Sequence, residues 1–218
     1  MDTTAARRQM VDQQIRTWDV LDAHVLAALA AIPREAFVPA AYRDVACADA
    51  SIPIGLGQTM LAPKMHGRIL QALELEPTDA VLEIGTGTGY LSACLARLAA
   101  RTKSIDIHPS LVELARANLA NFAPTPARVE LEVRDAFSAD PLGEFDAIAV
   151  TGSMPRYDAR FERSLAVGGR LFAVVGSAPV MEAMRVRRFG PSEWVRETLF
   201  ETVIEPLIGA PAAARFVF

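Results

Sequence analysis

The chain has little cysteine, little histidine and no long apolar run, and each scarcity excludes something. Two cysteines, Cys47 and Cys94, in 218 residues cannot make a disulfide framework. Cys94 lies in an apolar helix-like run and reads as core packing. The histidines, His24, His66 and His108, are scattered and no metal-ligand spacing occurs, so no metal is expected. His24 and His66 fall in helical segments and read as surface or satisfied residues. Residues 1–16 lack the apolar core of a secretory signal, and the run 25–32 is too short to span a bilayer. A soluble cytoplasmic protein without a membrane partner is expected. Basic excess is also missing. The net charge of −4 argues against nucleic acid as a partner. The densest basic cluster, Arg185, Arg187 and Arg188, reads as a solvated strand face. Internal repeats and low-complexity segments are absent, and Pro211-Ala212-Ala213-Ala214 reads as a mobile tail. With 51% apolar residues the chain can bury the core of one α/β domain over 1–218.

What the chain does have is glycine in one informative place. Val81-Leu82-Glu83-Ile84 is an apolar strand that runs into Gly85-Thr86-Gly87-Thr88-Gly89-Tyr90 and then into the helical pattern Leu91–Leu98. Strand, glycine turn and helix build a nucleotide-type cofactor site in an open α/β sheet. Glycine lets the backbone take positive φ and lets a ligand approach closely. A dinucleotide fingerprint needs glycine at position 90, where Tyr90 stands, so a nicotinamide cofactor is disfavoured. The observed G-x-G-x-G after an acidic strand end is similar to the first motif of S-adenosylmethionine methyltransferases. Asp106 ends the next strand, about twenty residues past Gly85, where such sites place a carboxylate for the ribose hydroxyls.

The remaining pattern alternates. Helices are predicted over 5–17 and 22–31, with Asp22 capping the second, and over 65–75. The breaker-rich stretch 44–63 is a loop with room for short strands. Strand 81–84 precedes helix 89–100, strand 103–107 precedes helix 109–121, and strand 128–134 precedes a loop. Strand 145–150, a helix near 157–165 and strand 170–175 follow. Met184–Phe189 and Trp194–Ile204, joined by Gly190-Pro191-Ser192, read as an antiparallel hairpin at the sheet edge. The alternation implies a mostly parallel, doubly wound sheet with antiparallel C-terminal strands and an N-terminal helical extension.

Nearly the whole chain resembles the protein-L-isoaspartate O-methyltransferase family. The resemblance rests on Met10-Val11, Gln14, Val25-Leu26, Ile32-Pro33-Arg34-Glu35-Ala36-Phe37-Val38-Pro39, Ala41-Tyr42-Arg43-Asp44 and Ile52-Pro53-Ile54-Gly55-Leu56-Gly57-Gln58-Thr59. The glycine motif, Phe145–Thr151 and Gly168-Gly169-Arg170-Leu171 follow in family order. It implies a Rossmann-like class I methyltransferase fold. Residues 1–75 would then hold the N-terminal helices and substrate loop, and 76–218 the cofactor core.

By the same resemblance Glu83, Gly85, Thr86, Gly87 and Gly89 belong to the methionine and ribose side of S-adenosylmethionine. Asp106, Ile107 and His108 face ribose and adenine, Asp135 and Ala136 flank the adenine, and Thr151 and Gly152 lie near the methionine end. Gln58, Thr59, Met60 and Leu61 form the acceptor loop. The implied substrate is an isoaspartyl peptide or protein, and a monomer or weak dimer is expected.

Two departures stand out. Leu61 occupies the place of the family's substrate-loop serine, and Arg134-Asp135-Ala136 replaces a Gly-Asp-Gly. The first keeps other acceptors open, and with them a protein that binds the cofactor without turnover. A carboxylate acceptor is ionised at neutral pH and needs no general base, so the missing catalytic dyad does not argue against an enzyme.

Overall fold

The computed structural model describes residues 3–121 and 128–211; the alanine-rich patch from Ala212 onward lies outside them. The architecture grows from β3 (Ala80–Ile84), whose five residues are all buried. A continuous apolar run suits a strand covered on both faces, as in a parallel sheet. β4 (Arg101–Asp106) and β6 (Phe145–Met154) flank it in parallel, and β5 (Val129–Val133) lies outside β4. β7 (Leu165–Ser177) extends the sheet in parallel beyond β6. β8 (Val180–Gly190) and β9 (Glu193–Thr202) then turn back antiparallel, giving the order β5-β4-β3-β6-β7-β8-β9. The expected mixed sheet is thus observed. The chain builds outward from β3 to β5 and then crosses to β6 on the other side of β3. The connections leaving the carboxyl ends of β3 and β6 run to opposite faces of the sheet, and such a switch point is where open α/β sheets bind ligands.

Side-chain alternation splits the core between two faces of the sheet. On one, Val81 and Phe172 join Met10, Ile15, Leu29, Phe37, Ile69 and Cys94, so the N-terminal segment is bound into the sheet's own core. On the other, Leu82, Ile148 and Leu171 pack with Phe161. Helices α3 (Pro63–Leu73), α4 (Tyr90–Leu98) and α5 (Pro109–Ala120) take their predicted places within a few residues. Arg170 ties three of these parts together: it donates to Leu73 O at 2.7 Å and to Asp79 Oδ2 at 2.7 Å, and also reaches Glu74 O.

Three predicted elements differ. The first helix is α-helical only over α1 (Thr3–Gln9); it widens through Met10–Ile15 and ends in a tight turn at Arg16–Trp18. The wider turn aligns residues five apart, so Met10 and Ile15 are buried together. Thr17 competes for the last turn by bonding to Gln13 O and Gln14 O. The cap of α2 (Ala23–Ala31) is as expected: Asp22 accepts from the amides of His24 and Val25 at 2.8 and 3.0 Å.

The helix expected near 157–165 is one turn, α6 (Arg160–Arg163). It stops there because Ser164 bonds back to Arg160 O and Leu165 already pairs with Phe145 in the sheet. Finally, Arg185 and Arg187 are not simply solvated. Both reach Glu74, and Arg185 also holds Glu197 at 2.7 Å, while Arg188 turns to Leu165 O. Among the described residues no helix is long and apolar enough to cross a membrane.

Candidate functional site

The glycine turn leaves β3 at positive φ, with Gly85 at +94° and Gly87 at +53°. Its geometry is set by neighbours on both sides. The amide of Gly85 donates to Ile105 O at 2.8 Å, and Thr151 Oγ1 donates to Ile84 O and Gly85 O at 2.8 and 3.0 Å. Asp106 completes the frame from the end of β4. Its Oδ2 accepts from the Gly87 amide and its Oδ1 from the His108 amide, each at 2.9 Å. Each oxygen keeps a further acceptor site, and the carboxylate stays at the cleft wall with 7% exposure.

A cleft opens at this point. Gly85, Asp106, Ile107, His108, Asp135 and Ala136, six of the residues singled out in the sequence, line it together with Ile84 and Gln58. An adjoining cleft adds Thr59, Leu61, Gly87, Thr151 and Gly152. The loop itself is a two-stranded hairpin, β1 (Ile52–Gly55) and β2 (Gln58–Met60), turned by Gly55-Leu56-Gly57, all three at positive φ. The hairpin lays Thr59, Met60 and Leu61 over a smaller pocket floored by Thr86, Thr88 and Glu83. Structure therefore brings together the glycine turn, Asp106, the residues after β5 and the hairpin.

Two expected residues lie outside the two open clefts. Gly89 faces away from these clefts: a Cβ there would lie 3.1 Å from Ala115 Cβ, so its glycine lets α4 and α5 approach. Glu83 is absent from the two open clefts and is fully buried beneath the turn. Its Oε2 accepts from Ser104 Oγ at 2.6 Å and from Ser92 Oγ, while Oε1 faces no partner. Burial, opposed by the two serine bonds, raises its pKa to about 7. Burial also pushes the Cys94 thiol to about 12, which removes it as a nucleophile.

The sequence reading missed the segment after β9. Residues 204–207 run along the end of β6, with Ser153 N donating to Glu205 O at 2.8 Å and Leu207 N to Ser153 O at 2.9 Å. Leu207 covers Gly152 and, with Glu205, Pro206 and Ile208, walls the clefts. Only Gly152, where a Cβ would meet Leu207 at 2.8 Å, hinted at such a crossing. Phe137 and Leu111 are further lining residues that no motif marked, while Ile54 and Arg134 lie in quoted motifs without having been assigned to the site.

The lining suits an adenosyl amino acid. Four buried polar atoms in it, Glu83 Oε1, Thr88 Oγ1, Tyr90 Oη and His108 Nε2, have no hydrogen-bond partner among the described residues. Asp106 offers acceptors for vicinal hydroxyls. Among the described residues Arg134 is the one arginine or lysine lining the first cleft, and its guanidinium is engaged by Asp140 O and Pro141 O.

Comparison with known proteins agrees with this geometry. The family model described as protein-L-isoaspartate(D-aspartate) O-methyltransferase matches residues 5–210. A protein of Koribacter versatilis named protein-L-isoaspartate O-methyltransferase is 40% identical over 203 residues, covering 93% of this chain and 90% of its own. One of the same name from Methylorubrum populi is 37% identical over 213 residues, covering 97% and 99%. Among solved structures, a Plasmodium falciparum protein of this name in complex with S-adenosyl-L-homocysteine superposes with a TM-score of 0.80. It is 18% identical and covers 92% of this chain and 97% of its own, a likeness of fold.

Proposed function

The chain belongs to the protein-L-isoaspartate(D-aspartate) O-methyltransferase family, and from that premise we propose how its own residues carry out methyl transfer to L-isoaspartyl residues of damaged proteins. It is an S-adenosylmethionine-dependent methyltransferase. When bound, the cofactor supplies a methyl group already activated on a sulfonium. The protein's share is to hold, orient and exclude water.

Asp106 accepts from the ribose hydroxyls while its bonds to Gly87 and His108 keep the carboxylate aimed. Ile107, His108, Asp135 and Ala136 enclose the adenine side. Gly85, Thr86, Gly87, Thr151 and Gly152 border the amino-acid end, with Glu83 beneath. The hairpin residues Gln58–Leu61 close over the acceptor and shield it from solvent. A carboxylate acceptor arrives ionised, so no residue has to remove a proton. We place the activity in the cytoplasm, on polypeptide substrates and in a monomer or weak dimer; the two free cysteines suit a reducing compartment.

The observation that carries this reading is the hairpin seated against the glycine turn and Asp106 around shared clefts. Calorimetric titration tests the cofactor half. Asp106→Ala is expected to weaken S-adenosylmethionine by roughly 10- to 100-fold, the scale of hydrogen bonds to a charged group, and NAD is expected not to bind. Tritium transfer from labelled cofactor to an isoaspartyl peptide, beside its normal-aspartyl twin, tests the acceptor half. Label on the isoaspartyl peptide alone is expected; label on neither, with tight cofactor binding, overturns the repair activity.

Leu61 favours a second reading, transfer to a different acceptor, because it lines both acceptor-side clefts and brings no hydroxyl. Leu61→Ser is expected to raise kcat/KM for the isoaspartyl peptide by about two- to tenfold, the worth of one neutral hydrogen bond. A fall would show that the pocket is shaped for another group.

A further inference from the structure

The acceptor-side clefts present a problem of charge. Their lining holds Asp106, Glu205 and Glu83 and neither lysine nor arginine. Beside neutral groups such as Gln58, Thr59 and Thr151, the only charged side chains an acceptor carboxylate meets there are acidic, and burying an anion without compensation is costly. Compensation lies one layer behind. Arg34 is fully buried and forms no ion pair with a carboxylate among the described residues; its neighbour Glu35 is taken by Arg7.

The Arg34 guanidinium spends its donors on Ala46 O at 2.7 Å, Leu61 O at 2.7 Å and His66 Nδ1 at 3.1 Å, and lies 5.2 Å from the centre of the Tyr90 ring. Leu61, His66 and Tyr90 all line the pocket under the hairpin. Guanidinium has no acceptor, so the bond to His66 Nδ1 leaves that ring neutral with its proton on Nε2. Burial first, and then Arg34, hold the His66 pKa well below its ordinary value. Desolvation lowers the pKa of Arg34 too, but a guanidinium stays protonated at neutral pH. The result is one uncompensated buried cation that touches three pocket residues and fixes the backbone of Leu61.

We propose that Arg34 is a positioning residue for the methyl acceptor: it pins the acceptor loop through the Leu61 carbonyl and supplies the positive field that draws a carboxylate into a cleft walled by acids. The proposal rests on the carboxylate-acceptor reading above. It explains why an arginine is spent in the core where no carboxylate waits for it. A bound acceptor carboxylate completes the pairing.

The experiment compares an isoaspartyl peptide with the same peptide carrying a carboxamide in place of the free carboxylate. Both are titrated onto the protein saturated with S-adenosylhomocysteine, which has no sulfonium charge. The wild type is expected to prefer the carboxylate by roughly tenfold, the effect of a unit charge about 10 Å away at an effective dielectric near 20. Equal affinities overturn the proposal without any variant.

Removing an unpaired buried cation relieves its desolvation, so Arg34→Gln and Arg34→Met are expected to fold, which thermal melts check. In both, the preference is expected to fall to about twofold or less while cofactor affinity stays unchanged. Arg34→Lys keeps the charge but not the three-way fixation. It is expected to retain the preference and lose kcat. A preference that survives in the neutral variants, or a loss of cofactor binding equal to the loss of peptide binding, reduces Arg34 to a structural role. Failure of the wild type to methylate isoaspartate at all is a separate result and strikes the functional reading instead.

Discussion

Gly85→Ala is expected to abolish measurable cofactor binding and to lower Tm by roughly 5–15 °C. Two costs act together. Gly85 sits at φ +94°, where an L side chain is strained by roughly 1–2 kcal/mol. A Cβ built there lies 2.2 Å from Thr151 Oγ1, and overpacking of this kind costs about 1–3 kcal/mol. The clash is not relieved cheaply, because that hydroxyl is the donor to both Ile84 O and Gly85 O. Rotating it away breaks the tie between β6 and the glycine turn. The sum, about 2–5 kcal/mol, spans the stated shift at about 2–4 °C per kcal/mol for a chain of this size. Function suffers more than stability, since the turn must move by part of an ångström where the ligand sits closest to the backbone. Differential scanning calorimetry and titration with S-adenosylhomocysteine check the two halves. Cofactor affinity within threefold of wild type would remove the glycine turn from the binding site.

Gly85, Asp106 and the alternation of strands and helices were legible because each is written locally. An acidic strand end, glycines at fixed spacing and a second acid about twenty residues on need only the geometry of one βαβ unit. Asp22 as a helix cap is equally local. Gly89 shows the limit of spacing: it continues the motif, yet its requirement comes from Ala115 on α5, a packing constraint that looks identical in sequence to a ligand's. Ile204 reads as the end of a strand and residues 205–207 carry no reading, because nothing in them announces that they will hydrogen-bond to Ser153, about fifty positions earlier. Arg34 was visible only as part of a Pro-Arg-Glu segment. Its partners are carbonyls of Ala46 and Leu61 and a ring nitrogen of His66, and carbonyls carry no sequence signal. What stayed hidden was therefore backbone acceptance over long range.

Glu83 gives the pH dependence. Its carboxyl titrates at about 7 in the folded chain against 4.5 for the free group. A raised acid pKa means that the folded state holds the proton more tightly than the unfolded one. The contribution to stability is therefore fully present below about pH 4.5 and is lost as pH rises through about 7. The shift corresponds to roughly 3 kcal/mol, at about 1.4 kcal/mol per unit. Burial is the main cause; Ser104 and Ser92 oppose it, and Asp106 adds to it. His66 and Tyr90 share the pocket with Glu83, and burial favours the neutral form of each, lowering the pKa of the first and raising that of the second.

Glu83→Gln keeps the shape and has nothing to ionise. The stability difference between wild type and Glu83→Gln is expected to move against the wild type by roughly 3 kcal/mol between pH 4.5 and pH 8, measured by urea unfolding. A cationic ligand group beside the free Oε1 favours the ionised form, so the same residue couples folding to function. Cofactor binding near pH 6 is expected to release close to one proton, seen as a dependence of binding enthalpy on buffer ionisation heat, and Glu83→Gln is expected to release none. A stability difference that stays flat from pH 4.5 to pH 8 would mean that Glu83 is already ionised in the empty protein. It would then be a fixed anion awaiting its ligand rather than a proton carrier.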